Sequence, residues 1–159
     1  MNTLNRPNPL AELVDLFEDP RSNAQLIESG PLYVLADLLC KGAMKLPDGS
    51  IELVDRHRIR FLTRPEFPNA CLTVYEPDVG VPFHPNIRSE PPFIICSDLE
   101  NQIARRGLVP LVSSANLVFD IISGNDWAAD HGIFNSEALK HFADAQATGQ
   151  LPFDTRRLI

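Results

Sequence analysis

The sequence predicts one α+β domain over residues 1–159, an antiparallel β-meander flanked by an N-terminal helix and by C-terminal helices. Three observations lead there. Apolar residues recur at helical spacing near both ends of the chain. The middle switches to runs rich in Val, Ile, Thr, Phe and Tyr that partly alternate. Short turn-forming links join those runs, with Pro47-Asp48-Gly49 the strongest of them.

Each element has its own warrant. Residues 1–7 are polar and are expected to be loose. PLAELVDLFED, 9–19, places Leu10, Leu13, Val14 and Phe17 on one helical face. Pro9 suits the first turn, Asn8 can cap it, and Pro20 ends it. RSNAQLIESG, 21–30, predicts a second short helix stopped by Gly30 and Pro31. LYVLADLLC, 32–40, is apolar enough for strand or helix. IELVDRHRIRFLT, 51–63, and ACLTVYEP, 70–77, are strands on either side of the RPEFPN link. Five prolines then fall within the sixteen residues from Pro77 to Pro92. That density excludes a helix or a central strand and leaves a long, shaped connection. LVSSANLVFDIIS, 111–123, is a helix apolar nearly all round and therefore buried. GNDWAADHGI is a loop, and NSEALKHFADAQA, 135–147, is a helix opening at Asn135 or Ser136. Residues 148–159 carry too few signals to assign and are expected to be a loose end.

Composition removes several function classes. A net charge of −7 without a clustered Lys/Arg face argues against nucleic acid as a partner. RHRIR, 56–60, is the densest basic run, and its alternation with Ile59 and Phe61 reads as the solvent face of a strand. The N-terminal residues show neither a signal peptide nor a membrane span. Three cysteines, Cys40, Cys71 and Cys96, lie too far apart for a C-x-x-C site. Their odd number fits a reducing cytoplasm better than a disulfide framework. His57, His84, His131 and His141 do not pair with them at zinc-ligand spacing. Neither a metal nor a cofactor is expected.

The most informative stretch is FHPNIRSEPPFIIC, 83–96, where a His-Pro-Asn-Ile turn precedes a cysteine that closes an apolar run. With it go EFP, 66–68, before the strand ACLTVY; IICSDL, 94–99; and FNSEAL, 134–139. The order is helix, meander, proline-rich loop, cysteine, buried helix, loop, helix. This set resembles the ubiquitin-conjugating enzymes, with their His-Pro-Asn motif, Ile-Cys-Leu-Asp run and Leu-Asn-x-Glu-Ala helix opening. The chain departs from that family in several places. The loop between His84 and Cys96 is longer and contains Pro91-Pro92. The Gly before the Ile-Cys pair is absent. ENQIARRGLVP stands where the family has Trp-x-Pro, and the Pro-Pro of the EFP turn is missing. The departures fit a divergent bacterial member encoded beside a ubiquitin-like protein and its activating enzyme, a setting that in some operons serves antiphage defence.

The resemblance implies a UBC-like fold with one antiparallel four-stranded sheet, and a cysteine-thioester acyltransferase of the cytoplasm. Its partners would be a ubiquitin-like modifier, an activating enzyme and a target protein amine. Cys96 would accept the modifier's C-terminus as a thioester. A thiolate suits both halves of such a transfer, being a nucleophile going in and a leaving group going out. Arg88, Arg105 and Arg106 are the nearest cations in sequence. Cys40 and Cys71 read as core cysteines.

Asn86 has two available roles, donating to the oxyanion formed when the amine attacks or bracing its own turn. His84 reads as structural, satisfying loop carbonyls, with Pro85 fixing the turn. In the loop after the buried helix the resemblance implies an acidic or polar residue that orients the amine. Asp130 is the choice by its distance before FNSEAL, with His131 next and Asp126 also present. Trp127 in that loop reads as a packing anchor. Two other functions compete. One is a non-catalytic module of the same fold that binds the modifier or a partner. The other is a stand-alone thiol hydrolase, which needs a histidine base beside Cys96.

Overall fold

The computed structural model describes residues 9–96, 111–126 and 133–159. Helix α1 (Pro9–Glu18) is followed by eight strands: β1 (Ala24–Ser29), β2 (Tyr33–Leu38), β3 (Gly42–Lys45), β4 (Ile51–Val54), β5 (His57–Arg64), β6 (Phe67–Tyr75), β7 (Val81–Pro82) and β8 (Phe93–Ile95). Helices α2 (Leu111–Ser123) and α3 (Ser136–Ala147) come after them. The strands form two antiparallel sheets, one of five strands in the order β1-β2-β5-β6-β8 and one of three in the order β4-β3-β7.

The fold is α+β with helices before and after the strands, but the single four-stranded sheet of a UBC-like fold does not form. Two features overturn it. Phe93–Ile95 adds a fifth strand by pairing with β6, Thr73 opposite Ile95 and Tyr75 opposite Phe93. After Leu38 the chain also leaves the large sheet to build the β3–β4 hairpin in the second one. The Pro-Asp-Gly turn closes that hairpin, with the Leu46 N–H donating to the Ser50 carbonyl at 2.8 Å. The strands on either side of it in sequence, β2 and β5, pair with each other instead, from Tyr33 opposite Leu62 to Leu38 opposite His57. A turn signal fixes the reversal of the chain, not the sheet that receives it.

Two further expectations change for the same reason. IELVDRHRIRFLT is not one strand: Ile51–Val54 and His57–Arg64 lie in different sheets, with Asp55 and Arg56 at the corner. RSNAQLIESG is not a helix. Its Ala24–Ser29 pairs with β2 from Ala24 opposite Leu38 to Ser29 opposite Val34, with an irregularity between Leu26 and Glu28. Helix propensity over so short a run is weaker than a full ladder of pairing.

The main apolar core lies between the large sheet and helices α1 and α2. β2 and β5 turn Val34, Ala36, Leu38, Ile59 and Phe61 inward, all without solvent exposure. α1 covers them with Leu10, Leu13, Leu16 and Phe17, and the Phe17 ring centre is 5.4 Å from that of Phe61. α2 is buried along Leu111, Ala115, Val118, Phe119, Ile121 and Ile122, as its all-round apolar sequence predicts. Each Val, Leu, Ile or Phe side chain among them contributes about 1.5–3 kcal/mol on burial.

The arginines of RHRIR do face outward, but His57 does not. It sits on the Ile59 and Phe61 side and is 1% exposed. Its Nε2 is 3.0 Å from the Val54 carbonyl and its Nδ1 is 2.5 Å from the Tyr75 hydroxyl. On the outer face the buried Asp37 carboxylate takes Arg56 and Arg58, each at 2.9 Å. Residues 148–159 run back across the molecule as a strap. Leu158 enters the main core, and its carbonyl accepts the Asn23 N–H at 2.7 Å. Among the described residues no helix is long and apolar enough to cross a membrane.

Candidate functional site

Phe83-His84-Pro85-Asn86-Ile87 leads out of β7, and all five residues are buried. The stretch folds as a tight turn, the Ile87 N–H donating to the His84 carbonyl at 3.2 Å. Inside the turn the Asn86 N–H donates to His84 Nδ1 at 3.0 Å. His84 Nδ1 is therefore an acceptor, and through it the ring satisfies a loop N–H.

The turn then runs antiparallel to the end of β8. Ile87 bridges Ile95, and the Arg88 N–H donates to the Ile94 carbonyl at 3.0 Å. The next link brings the predicted residues together: the Cys96 N–H donates to the Asn86 carbonyl at 2.9 Å. The proline-rich connection thus returns the HPN turn to the residue that ends the apolar run.

Helix α3 holds the turn from the other side. The Pro85 carbonyl accepts the N–H groups of Phe134 and Asn135, at 2.9 and 3.3 Å. Asn135 caps α3, its Oδ1 accepting the Ala138 N–H at 3.1 Å. From the middle of the same helix Phe142 sets its ring against His84, centre to centre 4.6 Å, in an edge-on arrangement. FNSEAL is therefore both a helix start and the fastening of the HPN turn.

The three cysteines differ in kind. Cys40 and Cys71 have no solvent exposure, whereas Cys96 is half-buried, and all three are free thiols. Burial pushes the Cys40 thiol up to about 12 and the Cys71 thiol up to about 11. Neither holds a useful fraction of thiolate at neutral pH. Core placement was readable for both from their apolar and alternating surroundings.

The amine-orienting candidates stand differently. Asp126 lies in the turn that closes α2, its N–H on the Asp120 carbonyl at 3.0 Å. Asp130 and His131 lie outside the described residues, as do Trp127, Arg105 and Arg106. Sequence reasoning missed Phe142 and the Pro85 carbonyl as parts of the site. The only available signal was that FNSEAL and HPNI both belong to the same motif set. A groove of about 240 Å³ is lined from both sheets, by Asp37, Arg58 and Tyr75 of the large one and Met44 and Val54 of the small one among others, and shares no residue with the Cys96 site.

No protein-family model matches the chain, and no curated protein matches it.

Proposed function

We propose that the protein conjugates a ubiquitin-like modifier through a thioester on Cys96. One observation carries the reading: Cys96 alone among the cysteines stands out of the core, and its N–H is held by the Asn86 carbonyl of the HPN turn. The Cys96 thiolate attacks the modifier's thioester on the activating enzyme. A new C–S bond forms, the old one breaks, and the activating enzyme's thiolate leaves. A target amine then attacks the new thioester, a C–N bond forms, and Cys96 is released as thiolate while the amine loses its proton. The first step conserves bond type and the second is downhill, so the site needs no metal or cofactor.

The hydrolase reading needs a histidine base at the thiol. His84 already uses Nδ1 for the Asn86 N–H, and His57 is engaged at both nitrogens inside the core. Among the described residues, neither His84 through Nδ1 nor His57 is placed to serve as that base. The reading places the reaction in the cytoplasm, where three free thiols persist.

The test is the intact mass of the protein after incubation with ATP, an activating enzyme and a ubiquitin-like protein encoded beside it. A reductant-labile gain of one modifier mass, mapped to Cys96, is the expected result. No gain, with the modifier nevertheless co-purifying, would identify a binding module instead.

Asn86→Ala separates the two roles of that side chain. If Asn86 donates to the oxyanion, discharge to free lysine should slow by about 100-fold, while charging of Cys96 slows much less. Equal loss in the two single-turnover rates would assign the side chain to bracing alone.

A further inference from the structure

The strap of residues 148–159 reaches the HPN turn through a chain of contacts. Phe153 meets Phe142 edge-on at 5.4 Å between ring centres, and Phe142 meets His84 at 4.6 Å. His84 Nδ1 accepts the Asn86 N–H, and the Asn86 carbonyl accepts the Cys96 N–H. Phe142 is without exposure and His84 is 3% exposed, so the links between Phe153 and the HPN turn lie inside the packed interior. Phe153 also packs against Ala43, Phe83 and Ala138, which joins the small sheet, the entry to the HPN turn and α3.

The strap itself is anchored on independent elements. The Phe153 N–H donates to the Ser123 carbonyl at 2.8 Å, at the end of α2. Asn125 Nδ2 donates to the Asp154 carbonyl at 2.6 Å, and the Lys41 N–H donates to the Asp154 carboxylate at 3.0 Å. The Arg156 guanidinium beside Asp154 holds that carboxyl well below the usual carboxylate range. Gly124 carries a φ of +81° where its turn passes close to Leu151 and Phe153.

We propose that Phe153 is a positioning residue for Cys96, the strap setting the distance between α3 and the HPN turn and so the seat of the thiol. The proposal rests on Cys96 being the nucleophile, but its test requires no modifier. The second-order rate of Cys96 alkylation by iodoacetamide is measured on the full chain by peptide mass. Cys40 and Cys71, buried in the core, report global opening in the same sample.

Phe153→Ala should raise the Cys96 rate at least about threefold through local loosening of the turn, with Cys40 and Cys71 still unlabelled. Phe153→Tyr, which keeps the ring, should restore the wild-type rate. If Phe153→Ala does not fold, Asn125→Ala, which cuts the bond to the Asp154 carbonyl, is read in the same way. An unchanged Cys96 rate despite a lower Tm would overturn the proposal, as would labelling of all three cysteines together. A changed alkylation rate in a protein that never takes up modifier would leave the positioning intact and remove the conjugating function alone.

Discussion

Cys96→Ser is expected to convert the reductant-labile adduct into one that survives reductant, and Cys96→Ala is expected to leave no adduct at all. The hydroxyl keeps the size and place of the thiol, so the acyl group can still be taken up. It is a weaker nucleophile than a thiolate and a poorer leaving group toward an amine. Charging therefore slows, and the oxyester formed accumulates because its discharge slows more. Neither change removes a core side chain, since Cys96 is half-buried and its structural bond is made by the main chain. The cost in stability should stay within about 1 kcal/mol, which thermal unfolding would check. A Cys96→Ala protein that still carries modifier by a thioester would move the nucleophile elsewhere.

The second large effect is acid destabilisation through His57. Burial pulls this imidazole down to about 4 from an ordinary 6.5, against the weaker upward pull of the Val54 and Cys40 carbonyls and of Asp55 and Asp37. Nε2 faces the Val54 carbonyl and Nδ1 the Tyr75 hydroxyl, which itself donates to Met44 Sδ at 3.2 Å, so it is burial rather than a missing partner that disfavours the charged ring. Burial also raises Tyr75, so the hydroxyl stays protonated throughout.

In the unfolded chain His57 takes up a proton near pH 6.5 and in the folded chain near 4. The unfolded state binds more protons between those values, so stability is whole above pH 6.5 and falls as pH drops toward 4. The loss across that window is about 3 kcal/mol. Urea unfolding at a series of pH values should show it. In NMR the His57 ring should keep its neutral signature to about pH 4. A titration midpoint near 6.5 would sink this account. The lowered Asp154 carboxyl acts in a separate, more acid window, below its ordinary value of 3.8.

These cases show what could be read from residues alone. HPNI and the cysteine were legible together because Pro85 fixes a turn locally and the apolar run ends at Cys96. Their meeting needs only a short return of the chain. The helices at 9–18, 111–123 and 136–147 were legible because their apolar spacing or their cap lies within the segment itself. The split into two sheets was not, since Pro47-Asp48-Gly49 would look the same in either sheet. β1 was missed because AQLIES gains its ladder only from residues of β2, which no local propensity encodes. His57 shared an alternation with Ile59 that was readable, but the arginines around it drew the run toward solvent. Phe142 and Phe153 act through contacts far apart in sequence and left no motif.

Leu158 shares one core with Leu10 and Leu13. A ribosome adding about 5–20 residues each second reaches Leu158 roughly 7–30 s after Leu10. Until then the nascent chain lacks the side chain that completes the core and the carbonyl that receives the Asn23 N–H. The apolar face of α1 and the inner face of the large sheet can meet early, but their packing closes last. That interval is when the growing polypeptide is most open to chaperone capture or to pairing with a neighbour on the same message.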